Sequence, residues 1–182
     1  MRYMRVPSTR VGHPGERRAV QPGHRDLAAT GSMTTPREDQ TATLLNNGQV
    51  LVSGGENASG TALASAELYN PATGQWSAAA NGLAACGTAT ECRFGSTAAL
   101  LATGNVLVTG GLAGTNSNPG TTNAAILYNP ATNSWTATGS MTTAREGQTA
   151  DLLASGQVLV AGGETFAKHA GTPLASAELY TP

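Results

Sequence analysis

Two cysteines are the first residues of this chain whose type and spacing could carry chemistry. Cys86 and Cys92 lie six residues apart in a stretch rich in Gly and Thr. A redox pair or a metal site is the functional interpretation, but zinc needs four ligands, usually from two closely spaced Cys or His pairs, and the sequence has no second pair. We therefore predict a disulfide that pins an inserted loop, which implies an oxidising compartment.

Three arginines recur at one fixed distance, 17 residues before the first glycine of a Gly-Gly pair. In one interpretation they form a ring near one end of a repeated structure and bind an anionic or carbohydrate ligand. In the other they are architectural and pair with carboxylates such as Glu67 and Glu178 or with loop carbonyls. The second unit has Ile126 where the others have glutamate, so an Arg–Glu pair is not common to all units. Recurrence in every unit favours architecture for these three residues, which are Arg37, Arg93 and Arg145.

The variable loops after the Gly-Gly pairs, at 56–63, 112–122 and 164–173, are the better candidates for a binding site, because loops on a rigid scaffold commonly carry recognition. The third loop holds Phe166, Lys168 and His169. His169 is the only histidine outside the first 26 residues, and nothing around it has the pattern of a nucleophile with its base. We predict a protein that is not an enzyme and that holds no metal or cofactor.

The elements that must position these residues are three copies of a Val-Leu-Val run followed by two glycines, at 49–55, 105–111 and 157–163. A Leu-Leu pair and a glycine precede each copy, and an Ala-rich block ending in Leu-Tyr follows it. In the first unit, short apolar runs joined by Asn-Asn-Gly predict a hairpin, since Asn and Gly both tolerate positive φ. A third strand at 65–69 and a fourth around Trp76 complete a small antiparallel sheet. Because Val-Leu-Val is apolar on both faces of the pleat, we expect this strand to be covered from both sides.

About fifty residues with four short strands, a Gly-Gly pair and a later Tyr and Trp resemble the kelch repeat, in particular its bacterial type, in which each unit is one blade of a β-propeller. The resemblance spans 27–182. It implies an all-β fold of about three four-stranded blades, at 27–76, 77–135 and 136–182. It also implies a non-catalytic interaction scaffold whose inter-strand loops bind protein or carbohydrate.

The kelch-like propeller of galactose oxidase supplies the enzymatic alternative. Its copper site uses tyrosines, histidines and a Tyr–Cys crosslink, and this sequence lacks those histidines. Tyr69, Tyr128 and Tyr180 share one repeat position, so we predict that they are packing residues. A third alternative is an inactive fragment of a longer kelch protein.

Charge separates the chain into two parts. Residues 1–29 carry six arginines against two acids, a net charge of +4, whereas the repeats carry four basic residues against nine acids, a net charge of −5. We predict that 1–26 is a disordered basic tail. The acidic repeats disfavour nucleic acid as a partner, and no stretch is long and apolar enough for a membrane span.

The repeat pattern starts and stops part-way through a unit, and a closed propeller has about four to eight blades. We therefore expect either a piece of a longer protein or self-association that completes the propeller. Composition and the cysteine pair favour an extracellular or cell-surface location.

Overall fold

The computed structural model describes residues 28–80, 93–115, 118–167 and 170–182, and these ranges contain strands and turns but no helix. The prediction of an all-β fold is confirmed. The predicted basic tail, Cys86, Cys92, Lys168 and His169 lie outside the described residues. The strands are β1 (Thr41–Leu44), β2 (Val50–Ser53), β3 (Ala66–Asn70), β4 (Gln75–Ala78), β5 (Arg93–Phe94), β6 (Thr97–Leu100), β7 (Val106–Thr109), β8 (Leu112–Thr115), β9 (Asn118–Thr121), β10 (Ala125–Asn129), β11 (Ser134–Thr138), β12 (Thr149–Leu152), β13 (Val158–Ala161), β14 (Glu164–Ala167), β15 (Ala170–Pro173) and β16 (Ala177–Tyr180).

Each repeat forms one antiparallel sheet, which we call a blade. The first blade has the order β1-β2-β3-β4, and the second has the order β6-β7-β10-β11. The third contains β12, β13 and β16 in the described part of the chain. In the outer strand pair of the first blade Tyr69 lies opposite Trp76, and the second blade repeats this with Tyr128 and Trp135. Their ring centroids are 5.0 and 4.9 Å apart, so these aromatic pairs pack as expected from their shared repeat position.

The turn between β1 and β2, and its counterparts in the other two blades, differ in detail from the prediction. The turn forms, with the Gly48 N–H donating to the Leu45 carbonyl at 2.9 Å. Positive φ occurs at Gly48 (81°) but not at Asn47. The turns at Gly104 and Gly156 have the same geometry, with φ of 85° and 84°. Glycine alone therefore supplies the left-handed residue that closes each hairpin.

The blades stack through opposite faces of the Val-Leu-Val strand. In the second blade Val106 and Val108 pack against Leu51 of the first blade, whereas Leu107 points the other way and packs with Val158 of the third. All five side chains are at most 2 % exposed. The prediction that this strand is covered on both sides is confirmed for the middle blade. Burial of both faces ties three sheets, each too small to be stable alone, into one structure.

The Gly-Gly pairs mark the places where a neighbouring backbone crosses the end of each strand. Gly55 has a φ of 86°, and a Cβ there would lie 2.5 Å from the Glu38 carbonyl oxygen. Its N–H donates to the Arg93 carbonyl of the next unit at 2.8 Å. Gly111 repeats both features, since its N–H donates to the Arg145 carbonyl at 2.8 Å. The glycine pairs therefore bring the loops of successive units together.

The loops after the glycine pairs are more ordered than the sequence indicates. In the second unit β8 and β9 form a hairpin, and β5 adds to it as a third strand. In the third unit β14 and β15 form a hairpin. The sequence predicts these segments as variable loops. Their Thr-, Gly- and Asn-rich sequences show no alternation of apolar and polar residues, so only their tertiary pairing reveals the strands.

Candidate functional site

The buried side chain of Arg37 links the end of β2 to the start of β3 in the first blade. Its guanidinium donates to the carbonyl oxygens of Gly54 (2.7 Å) and Ser65 (3.0 Å), to Ser65 Oγ (3.0 Å) and to Glu67 Oε1 (3.0 Å). The side chains of Arg37 and Glu67 are 0 % and 2 % exposed. Burial alone would raise the pKa of Glu67, but hydrogen bonds from Thr34 and Arg37 hold that pKa below its ordinary value.

Arg145 repeats this arrangement in the third blade. It donates to the carbonyl oxygens of Gly162 (2.8 Å) and Ser176 (3.0 Å), to Ser176 Oγ (3.0 Å) and to Glu178 Oε1 (2.9 Å). The arginine side chain is fully buried, and Glu178 is 20 % exposed. The same two carbonyl positions are thus bridged by an arginine in both blades.

Arg93 occupies the same position in the second blade and is 2 % exposed. It donates to the Ala124 carbonyl at 2.8 Å, while Ile126 packs in the core where the other blades have glutamate. The three predicted arginines therefore share one role in each blade, and their buried guanidinium groups have little surface to offer a ligand. The geometry favours the architectural interpretation.

The segments around the glycine pairs converge on one surface, which we call the loop face. Beneath this surface lies an apolar cluster of Ala62 from the first unit and Phe94 and Leu112 from the second, with Phe166 of the third unit packed against it. The first three are at most 8 % exposed, and Phe166 is half-buried. The Phe166 N–H donates to Thr121 Oγ1 at 3.4 Å, which joins the two hairpins. Of the residues predicted from the third loop, Phe166 lies on this face.

Five carboxylates belong to the same loop face. They lie one or two residues after a recurring arginine or directly after a glycine pair: Glu38, Asp39, Glu56, Glu146 and Glu164. Backbone pairing joins Glu38 to Glu56 and Glu146 to Glu164, in the latter case with reciprocal N–H to carbonyl bonds of 2.9 Å. Among the described residues of the loop face, the exposed charges are therefore acidic, because the side chains of Arg37 and Arg145 next to these acids point into the blades.

Two backbone hydrogen bonds hold the turns that follow the recurring arginines of the three units in a row. The Gly95 N–H donates to the Asp39 carbonyl, and the Gly147 N–H donates to the Gly95 carbonyl, each at 3.1 Å. The three residues have φ between 53° and 66°. This row brings Asp39 of the first unit near Glu146 of the third.

The crowding of carboxylates perturbs their ionisation. Burial, and then the negative charges of Glu164 and Asp39, raise the pKa of Glu146 to about 7. Burial, and then Glu38 and Asp39, raise the pKa of Glu56. Both shifts favour protonation or the approach of a positive group.

The described residues contain no group of three or more His, Cys, Asp or Glu side chains arranged to hold a metal ion. Within the same ranges no helix is long and apolar enough to cross a membrane. Our sequence reasoning missed the carboxylates of the loop face. A signal existed, since Glu38 and Glu146 each follow a repeated arginine and Glu56 and Glu164 each follow a glycine pair.

Comparison with known proteins gives one result that bears on the family. The kelch motif matches residues 40–82, a range that contains all four strands of the first blade and its glycine pair. A comparison with curated proteins found no match. The motif and the repeated four-stranded sheets support a kelch-repeat family, and the fold of this chain is built from kelch-type β-propeller blades.

Proposed function

We propose that this protein is a non-catalytic kelch-repeat scaffold whose loop face binds a basic segment of a partner protein. The observation that carries the proposal is that five carboxylates, from loops of the first and third units, share the loop face with the half-buried Phe166. A face with an aromatic anchor and charge of one sign selects partners of opposite charge.

The raised pKa values of Glu146 and Glu56 support this choice of partner. Burial, and then the negative charges of Glu164 and Asp39, disfavour the ionised form of Glu146, and a lysine or arginine placed beside this carboxylate would favour that form. The side chains of Arg37 and Arg145 cannot do so, because they are fully buried and point at carbonyl oxygens inside the blades.

Selection from a random peptide library tests the proposal. The immobilised protein is the bait, and counter-selection uses the triple variant Glu56→Gln, Glu164→Gln, Phe166→Ser. We expect the enriched peptides to contain Lys or Arg beside an apolar residue. Their affinity should fall when salt rises from about 0.05 to about 0.5 M, because added ions screen surface charge.

Asp151→Asn is the matched control, since it removes an exposed carboxylate from β12 away from the loop face. It should leave peptide binding unchanged. Peptides that bind the triple variant as tightly as the wild type, or a selection that enriches no basic peptide, would contradict the proposal.

Self-association is a second part of the proposal, supported by the open faces of the outer blades. Leu44 is 65 % exposed, whereas Leu100 at the same repeat position packs between the first and second blades. Leu179 is 55 % exposed, whereas its counterpart Leu127 packs between the second and third. Because these two faces correspond to the two sides of an existing blade interface, we propose that copies of the chain associate head to tail through them.

The disulfide between Cys86 and Cys92 and the extracellular or cell-surface location stay predictions. Thiol titration of the protein purified without reductant and unfolded in denaturant tests the pairing. A paired state gives no reactive thiol, and two reactive thiols would remove the main support for an oxidising compartment.

A further inference from the structure

At the hairpin turns of the blades, a cavity of about 280 Å³ opens between the first and second blades. The first blade contributes the turn residues Asn46 and Asn47, and the second contributes Gly104, Asn105 and the Asn129-Pro130 step. We call it the asparagine groove. Its volume is near the lower end of the roughly 300–1,000 Å³ range of small-molecule sites.

Some asparagine side chains of the groove form hydrogen bonds within the protein and others do not. Asn47 bonds with Gln49, and Asn129 Oδ1 accepts from the Ala131 N–H at 2.9 Å. Within the part of the chain that the structure describes, the side-chain amides of the exposed Asn46 and the half-buried Asn105 accept and donate no hydrogen bond to another residue. Asn129 likewise uses only its oxygen there. The groove therefore presents unused donors and acceptors side by side.

The equivalent position in the third blade shows that an amide without an intramolecular hydrogen bond is not a general property of the repeat. There Gln157 replaces Asn105, and its amide nitrogen donates to Thr181 Oγ1 at 3.0 Å. Its amide oxygen accepts from Ser155 Oγ at 3.2 Å. Asn46 likewise corresponds to alanine at both other repeats. Among the described residues, this grouping of asparagine amides without intramolecular hydrogen bonds is thus particular to the interface between the first two blades.

We propose that the asparagine groove binds a neutral saccharide. The described lining residues carry no charge, so an ionic ligand would lose its hydration there without gaining a counter-charge. A sugar hydroxyl both donates and accepts, as an asparagine amide does, so vicinal hydroxyls match the free groups of Asn46, Asn105 and Asn129. Pro130 supplies an apolar surface for the C–H face of a pyranose ring. This site is separate from the loop face and does not depend on the proposed protein partner.

Saccharide titration of the ¹⁵N-labelled full chain tests the inference. The probes are glucose, galactose, mannose, xylose and N-acetylglucosamine, with disaccharides of each, at concentrations up to about 10 mM, about ten times a weak Kd of about 1 mM. We expect at least one probe to shift the amide resonances of 46–49 and 103–105.

The other repeats show which residues the fold accepts at these positions, and the test variants use them. Asn46→Ala installs the residue of the other two repeats, and Asn105→Gln installs the residue of the third, so neither change should disturb folding. The double variant should weaken saccharide binding by about tenfold, because Asn46→Ala removes one hydrogen-bonding amide and Asn105→Gln displaces another by one methylene group. Ala154→Asn places asparagine at the same repeat position outside the groove and should change nothing.

Absence of binding by every probe would overturn the inference, as would equal binding by the wild type and the double variant. Phe166→Ser, which alters the loop face, should leave saccharide binding intact. A failure of peptide binding at the loop face and a failure of saccharide binding at the groove are therefore distinguishable.

Discussion

Replacing Arg37 with methionine tests whether the recurring arginine holds each blade together. Methionine has a similar length but donates no hydrogen bond, so the substitution removes four hydrogen bonds and leaves Glu67 as a carboxylate that is 2 % exposed. Removing one partner of a buried ion pair costs about 3–5 kcal/mol of unfolding free energy. An ordinary domain has a total of about 5–15 kcal/mol, so the effect should be large.

Equilibrium unfolding in urea, followed by the fluorescence of Trp76 and Trp135, measures this loss. At a slope of about 2 kcal/mol per molar urea, the midpoint should fall by about 2 M. Glu67→Gln keeps the side-chain shape and should cost less, about 1–3 kcal/mol, because Arg37 retains its bonds to carbonyl oxygens.

The double variant Arg37→Met, Glu67→Gln should lose less stability than the sum of the single changes, since it no longer buries an unpaired charge. If Arg37→Met alone does not fold, the double variant should still show a transition. A loss below about 1 kcal/mol for Arg37→Met at an unchanged slope would refute the architectural role.

Three further results are expected. Burial and neighbouring acids raise the pKa of Glu146 from 4.5 to about 7, so the folded state binds more protons between these pH values and its stability falls as pH rises through 7. Glu146→Gln should flatten this trend and stabilise the protein at pH 8 by on the order of 1 kcal/mol, a figure discounted for solvent screening. A gain in stability at pH 4 equal to that at pH 8 would contradict this explanation. Gly163→Ala should destabilise more than Gly156→Ala in urea unfolding, because both have φ near +80° but only at Gly163 does a Cβ collide with the Glu146 carbonyl, and equal losses would exclude the close approach as the cause. Leu179→Asp should lower the mass measured by light scattering if the open blade faces associate, and an unchanged mass would count against head-to-tail association.

Much of the fold was predictable because the same sequence features recur in each unit. The Val-Leu-Val strands, the glycine pairs and the Tyr–Trp pairs recur at fixed spacing, and each has one structural solution in a small antiparallel sheet. The arginine role was predictable to the extent that Glu67 and Glu178 share a repeat position. The hairpins β8–β9 and β14–β15 were not, since their residues have no apolar alternation and depend on each other for pairing.

The candidate sites were harder to predict for a different reason. Repetition drew attention to Arg37, Arg93 and Arg145, but their carbonyl partners lie 17 to 31 residues away and become visible only in the fold. The acidic loop face combines residues from three units, none of which is distinctive alone. The asparagine groove combines Asn46, Asn105 and Asn129 from two blades, and in the described structure the amides of Asn46 and Asn105 bond to no other residue, a property that no spacing in the sequence expresses.

The most direct test of the central claim is to map where a selected basic peptide contacts the ¹⁵N-labelled protein. The account predicts amide shift changes at 56–63, 112–113 and 164–166, with small changes elsewhere, and their loss in the Phe166→Ser variant. Shifts that concentrate instead on the exposed face of β16 or on the hairpin turns, and that persist in this variant, would contradict the loop face as the binding surface.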